Sequence, residues 1–226
     1  MWRASAWGWR LAAFALLVAV SAAAPALATP MSFELVKVGV GHCRDRCPQV
    51  IFAQGEIDNG SAQSFLDFVQ RSLPGGELHG VVLLDSPGGH VVAAMELGLT
   101  IRRLGMAVIV ARPGGGAGGA AALYSGHCYS ACVYALMGGR KRVIPAQSRV
   151  GVHRMFNYST NFSFSQGFVS ERNVDDGEMR RRLAQYSRAM GVSDGLIDLA
   201  ERTSPDYLRL LTPGEIVRWR LASQRL

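Results

Sequence analysis

Three short stretches of this sequence carry residue types suited to acyl-transfer chemistry. The first is Asp85-Ser86-Pro87-Gly88-Gly89, where two glycines follow an apolar run and precede a helical pattern. Glycines there leave backbone N–H groups uncovered at the positive end of a helix, open to an oxyanion. Pro-Gly-Gly is equally an ordinary turn, with Asp85 and His90 capping and flanking it. The second stretch runs from Gly126 to Leu136 and sets Ser130 at the entrance of an apolar helix. Such a serine is either an N-cap or a nucleophile, and in the second case the following amide, Ala131, supplies a further oxyanion donor. The third is Arg149-Val150-Gly151-Val152-His153, a strand pattern ending in a histidine that serves either structure or proton transfer.

All four cysteines fall in two C-x3-C pairs, Cys43/Cys47 and Cys128/Cys132, each preceded by a histidine, His42 and His127. An even count in an exported chain points to disulfides, and four cysteines allow three connectivities. Two local bridges are the expectation, because helical i,i+4 spacing brings alpha carbons within about 6 Å, inside disulfide range. A four-cysteine zinc site competes, but x3 spacing and an oxidising compartment weigh against it, so no metal is expected.

The elements that must position these groups follow from periodicity. Phe33 to Val38 and Val50 to Ile57 read as strands, and Ser61 to Arg71 places Phe65, Leu66, Phe68 and Val69 at helical spacing. His79 to Leu84 is a short continuous apolar run, as expected of a strand buried on both faces. A helix with Val92, Met95 and Leu99 on one face follows, stopped by Gly105 before another strand, Met106 to Val110. Alternating strands and helices predict an α/β class with a mainly parallel sheet. Glu178 to Met190, Ser193 to Arg202 and Thr212 to Ala222 read as helices, whereas Met155 to Val169 is aromatic and polar without helical spacing. Residues 112–122, rich in glycine, lack the Gly-Lys-Ser/Thr ending of a phosphate loop and read as a flexible insertion, with a lid over Ser130 as one use.

Hydrophobic residues make up 49% of the 226 and charged ones 18%, which excludes intrinsic disorder for most of the chain. Residues 1–28 read as a secretory signal: Arg3 and Arg10, an apolar run from Leu11, and an Ala26-Leu27-Ala28 cleavage site. An uncleaved membrane anchor is the alternative, since Leu11 to Ala28 spans 18 residues without a charge. Cleavage leaves 29–226 as a single domain, exported to a periplasm or secreted, with 22 basic against 17 acidic residues. That modest excess does not make a nucleic-acid protein, and the runs Arg140-Lys141-Arg142 and Arg180-Arg181-Arg182 read as solvated faces.

Taken together, Ser86-Pro87-Gly88-Gly89, the helix-opening Ser130, and Gly138-Gly139-Arg140-Lys141-Arg142-Val143-Ile144-Pro145 leading to Arg149-Val150-Gly151-Val152-His153 resemble the Clp protease proteolytic subunit, within the Clp/crotonase superfamily. The resemblance runs from about Gly55 to His153, with weaker echoes beyond. With its leader and cysteines, the chain resembles the exported Clp-like proteins, in which a Gly-Glu-Ile strand follows one cysteine pair and a second pair brackets the serine. It implies a Clp/crotonase-like α/β fold of repeated β-β-α units with C-terminal helices. It also implies Ser130 as nucleophile, His153 as general base, and the amides of Gly89 and Ala131 as oxyanion hole.

The family's orienting aspartate does not carry over, since Arg202 or Thr203 falls at its position. Glu201, Asp198, Asp206, Thr203 or a backbone carbonyl are the substitutes the sequence offers. Signal-peptide peptidases share the Ser-Pro-Gly-Gly feature and use a lysine, but the only lysines here, Lys37 and Lys141, lie on the first strand and in a surface turn. The expectation is an exported serine hydrolase, peptidase-like, using a Ser-His dyad without cofactor on a peptide or other acyl substrate. The alternative is a catalytically silent fold that binds peptides or an envelope component; acyl-CoA chemistry is more distant, since coenzyme A is cytoplasmic. No nucleic acid and no ATP-driven unfoldase is expected as partner, a homo-oligomer is open, and membrane contact requires an uncleaved leader.

Overall fold

The computed structural model describes residues 29–39, 43, 47–72, 78–115, 120–163, 165, 167–174 and 177–225. Residues 1–28, read above as a leader, His42 and the centre of the Gly-rich stretch, 116–119, lie outside the described residues. The chain is mixed α/β. A five-stranded sheet is ordered β1-β2-β3-β4-β8, from β1 (Ser32–Lys37), β2 (Gln49–Gln54), β3 (Leu78–Asp85), β4 (Ala107–Ile109) and β8 (Arg142–Val143). Strand β1 runs antiparallel to β2, and the pairs from β2 to β8 are parallel. Helices α1 (Ser61–Ser72) and α2 (Val91–Arg103) make the crossovers from β2 to β3 and from β3 to β4.

The continuous apolar run in β3 is explained by burial on both faces. Val82 and Leu84 join the main core with Phe65 of α1 and Leu97 and Ile101 of α2. Leu83, between them in sequence, points the other way into a smaller cluster with Val50, Phe52, Ile109 and Val143. A second sheet, ordered β12-β9-β7, is built from β12 (Arg209–Leu210), β9 (Arg149–Val152) and β7 (His127–Tyr129). The parallel ladder between β7 and β9 sets His127 opposite Arg149, Cys128 opposite Val150 and Tyr129 opposite Gly151. Helix α3 (Cys132–Met137) follows β7 and is buried along its whole length.

Two stretches differ from their sequence-based reading. The Gly-rich segment is framed by a ladder: β5 (Ala111–Gly114) pairs antiparallel with β6 (Ala122–Ser125). The aromatic segment after His153 forms a second hairpin, β10 (Phe156–Ser163) with β11 (Gly167–Val174). Alternating polar and apolar residues there serve a two-stranded ribbon and not a core helix.

The C-terminal part, α4 (Glu178–Ala189), α5 (Gly195–Arg202), β12 and α6 (Pro213–Arg218), packs back on the sheets. The Tyr186 hydroxyl on α4 donates to the Tyr134 carbonyl at 2.8 Å. Arg209 grips Glu215 with both guanidinium nitrogens, at 3.0 and 2.7 Å, and Glu215 closes a capping box with Thr212. These bonds, Arg209 foremost, push the Glu215 pKa down to about 2.

Arg142 departs from the solvated run predicted for residues 140–142. Its guanidinium donates to the carbonyls of Met137, Gly139, Met190, Arg220 and Leu221 at 2.5–3.3 Å. It thereby satisfies the orphan carbonyls where α3, α4 and α6 end, and burial, with Arg102 nearby, lowers its pKa. Arg142→Met keeps the volume but strands these acceptors, and is expected to cost about 3 kcal/mol in urea unfolding of the oxidised protein. Arg140→Met, whose side chain is exposed, should stay within about 0.5 kcal/mol of the parent.

Candidate active site

Ser130 stands where β7 hands over to α3, and its backbone is left-handed, with φ at +55°. For a residue with a Cβ this conformation costs roughly 1–2 kcal/mol, so the surroundings must impose it. Three features do so. The Ser130 N–H donates to the Gly151 carbonyl at 2.9 Å, which fixes the end of β7 against β9. Gly88 lies directly beneath, with φ at +112°, and a Cβ there would come within 2.9 Å of the Ser130 Cβ and 2.7 Å of the Tyr129 carbonyl. The Cys128–Cys132 disulfide closes the turn from strand to helix, with alpha carbons 5.3 Å apart.

Both local bridges form, the other being Cys43–Cys47, but the reason for the second differs from a helical turn. Cys128 lies in β7 and only Cys132 in α3, so the left-handed turn at Ser130 brings them together. The N-cap reading of Ser130 fails, because Ala131 holds that position and no side chain caps the helix.

The glycine turn is pinned from the other side. Ile57 N–H donates to the Gly88 carbonyl at 2.7 Å and His90 N–H to the Ile57 carbonyl at 2.8 Å. Between these bonds Gly89 has φ at +132°, and a Cβ would lie 2.1 Å from the Ile57 carbonyl. Among the described residues neither the Gly89 nor the Ala131 N–H meets an acceptor. Asp85, expected to cap this turn, instead binds His127, accepting its backbone N–H at 2.8 Å and meeting its Nδ1 at 2.7 Å. The cap on the turn is Ser86, whose hydroxyl accepts the Gly88 N–H at 3.1 Å. His90 flanks it, 2.8 Å from Asn59 through Nδ1.

A cavity of about 620 Å³ is lined by Ser130, His153 and Gly89 together with Glu56, His90, Met155, Phe156 and Asn157. Three of the four residues expected at the site thus share one wall, and Ala131 is fully buried behind Ser130. Glu56, at the end of the Gly-Glu-Ile strand, and Asn157 were missed by sequence reasoning, and Met155 and Phe156 were read only as part of the aromatic stretch after His153.

His153 follows β9, and its Nδ1 sits 2.8 Å from the Arg154 carbonyl. With Nδ1 donating to that carbonyl, Nε2 keeps the lone pair a general base needs. The ring lies against Phe156, with centroids 5.9 Å apart. Thr203 does not reach it: the Thr203 carbonyl accepts the Arg154 N–H at 3.0 Å and its hydroxyl donates to the Leu199 carbonyl at 2.9 Å. Nor do the three acids, because Glu201 pairs with Arg154 at 3.3 Å, Asp198 with Arg180 and Asp206 with Arg172. Among the described residues no hydrogen bond joins Ser130 Oγ to His153, a contact that often tightens only when substrate is bound. Both lysines are exposed and neither lines the cavity.

This arrangement of sheets and turns is found in solved proteases. A serine-to-alanine mutant of the 1510-N membrane-bound stomatin-specific protease superposes with a TM-score of 0.51, at 18% identity over 77% of this chain and 78% of that chain. A lysine-to-alanine mutant of the same protease, in complex with a substrate peptide, gives 0.50 at 17% identity over 77% and 74%. The chain shares the fold of this protease. No family model matches the sequence, and no curated protein matches it.

Replacing Cys128 and Cys132 together by alanine should lower stability by about 2 kcal/mol, the loop-closure value for five residues. It should also weaken reaction of Ser130 with a fluorophosphonate, as the turn relaxes towards negative φ. Urea unfolding and probe labelling of the native variant check the two effects separately.

Proposed function

We propose that residues 29–226 act as one exported domain that hydrolyses peptide, or other acyl, bonds through an acyl-enzyme on Ser130. The observation that carries this reading is a serine held in a left-handed turn on the wall of a cavity shared with His153 and Gly89. Ser130 Oγ attacks the substrate carbonyl while His153 Nε2 takes its proton. The Gly89 and Ala131 amides face the oxygen that becomes negative. His153 then returns the proton to the leaving amine, and water, activated by the same imidazole, releases the acid. A lysine base, suggested by the mutated residues of the structural neighbours, has no candidate in this cavity.

The Arg154 carbonyl stands in for the orienting carboxylate. It fixes the tautomer, but a neutral dipole stabilises the imidazolium less than a charge, and loss of the acid in such triads costs about 10⁴ in turnover. Turnover is therefore expected to be low. The two disulfides and the N-terminal segment support export, and no helix among the described residues is long and apolar enough to cross a membrane. A silent, peptide-binding relative is the second reading, favoured by the missing acid and by the absence of a Ser130–His153 hydrogen bond.

Fluorophosphonate labelling of the mature, oxidised protein should occur and be lost in Ser130→Ala and in His153→Ala. Folded protein that does not label would overturn the hydrolase reading in favour of the binding one. Glu56 sets the expected preference. Among the described residues it alone brings a carboxylate, lysine or arginine to the lining, and that carboxylate has no partner there. Peptides with a lysine or arginine beside the scissile bond should be cleaved at least about fivefold faster than those with glutamate, and Glu56→Gln should narrow the gap. A library digest compared between parent and variant reads this directly; equal rates for both classes would remove Glu56 from substrate selection.

A further inference from the structure

On the other side of β7 from the serine turn lies a second concavity, of about 390 Å³, whose lining includes Arg112, His127, Tyr129, Gln147 and Arg149. Its walls come from three elements locked to one another. His127 and Arg149 are direct partners in the β7–β9 ladder, and Tyr129 shares the face of His127, with their rings 5.0 Å apart. The β5–β6 hairpin brings Arg112 alongside, because Gly126 approaches so closely that a Cβ would sit 2.9 Å from the Ala111 backbone. Ser148 welds the junction, accepting the Gly126 N–H at 3.2 Å and donating to the Val110 carbonyl at 2.6 Å.

The charge in this concavity is one-sided. Among the described residues neither Arg112 nor Arg149 has an ion pair or a side-chain hydrogen bond, although six other arginines pair with carboxylates elsewhere. Among the described residues the acid that reaches this wall, Asp85, is spent on His127: it binds the imidazole Nδ1 and so holds the ring with Nε2 turned to a ligand. The two guanidinium groups stand beside one another without a carboxylate to balance them, so their mutual repulsion is relieved when an anion enters.

We propose that this concavity is an oxyanion site for a phosphoryl group. Each guanidinium offers five N–H donors in a planar fork, and with the Tyr129 hydroxyl the donors converge from three strands, His127 Nε2 joining them when the bound anion holds the ring as imidazolium. A planar monocarboxylate, with two oxygens and one charge, uses only part of that set, whereas a phosphate dianion has the oxygens and the charge to engage both forks. The site stands independently of the hydrolase reading, since it shares no lining residue with the Ser130 cavity.

Two-dimensional NMR of the oxidised, folded protein at neutral pH and low salt tests this, by following the His127 imidazole and Arg149 Nε–H signals while inorganic phosphate is added. Saturable shifts there, with His153 unmoved, are expected. Arg112→Gln and Arg149→Gln should each weaken phosphate at least about tenfold, the factor lost with one charge-assisted hydrogen bond. Arg140→Gln, a surface charge outside the concavity, should leave binding unchanged. Arg149→Lys, which keeps the charge but not the fork, should also weaken it, and it carries the test should Arg149→Gln not fold. Shifts that rise without saturation, equal weakening by Arg140→Gln, or acetate binding as tightly as phosphate would each overturn the proposal.

Discussion

The left-handed turn at Ser130 is the constraint on which the rest of the site depends. A serine relaxes out of that conformation unless the neighbouring backbone forbids it. The main sheet supplies Gly88 beneath the turn, the second sheet supplies the Gly151 carbonyl that ends β7, and the disulfide ties the strand to the helix beyond. Each comes from a different part of the chain, so the turn forms only when both sheets have docked. The strain is small beside the burial of α3, whose residues are all buried, and it can be met from that packing without a ligand.

How much of this was legible in the sequence depends on the range of the interaction. The apolar run of β3 and the helical spacing of α1 are local, and each falls within a residue or two of its expected place, whereas α2 buries Ala93, Ala94, Leu97 and Ile101 and leaves Val92, expected on its apolar face, exposed. The order Ser86-Pro87-Gly88-Gly89, Ser130, His153 located one cavity wall, because a family resemblance compresses long-range contacts into spacing. What stayed illegible was side-chain partnership across the fold. Nothing local separates Arg142, which binds five carbonyls, from exposed Arg140 two positions earlier. Asp85 beside a glycine turn has the look of a cap, yet its partner is 42 residues away.

The replacement of an orienting acid by a carbonyl follows from the same crowding. Each of the three acids the sequence offered as a substitute is matched by an arginine: Glu201 by Arg154, Asp198 by Arg180, Asp206 by Arg172. The Glu201 pair is largely shielded on the acid side, and turning that carboxylate to His153 would break its ion pair with Arg154. The backbone carbonyl of the same arginine carries no such penalty. It sits one residue from the imidazole and is held in place by the Arg154 N–H bond to Thr203, so the ring is oriented by main chain alone.

Strand β7 is only three residues long, yet it separates two environments of opposite character. Period-two alternation turns His127 and Tyr129 to one face, against Arg149 and Arg112, and sends Cys128 inward to its bridge. Continued alternation would set residue 130 on the face of Cys128, in the core. The positive φ at Ser130 breaks the period and swings the hydroxyl out to a third direction, the cavity whose fixed charge is the acid Glu56. A basic concavity and an acidic cavity then stand a few residues apart and share no lining residue. The bridge therefore does more than brace a turn: by fixing where alternation stops, it decides which side of the strand the serine serves.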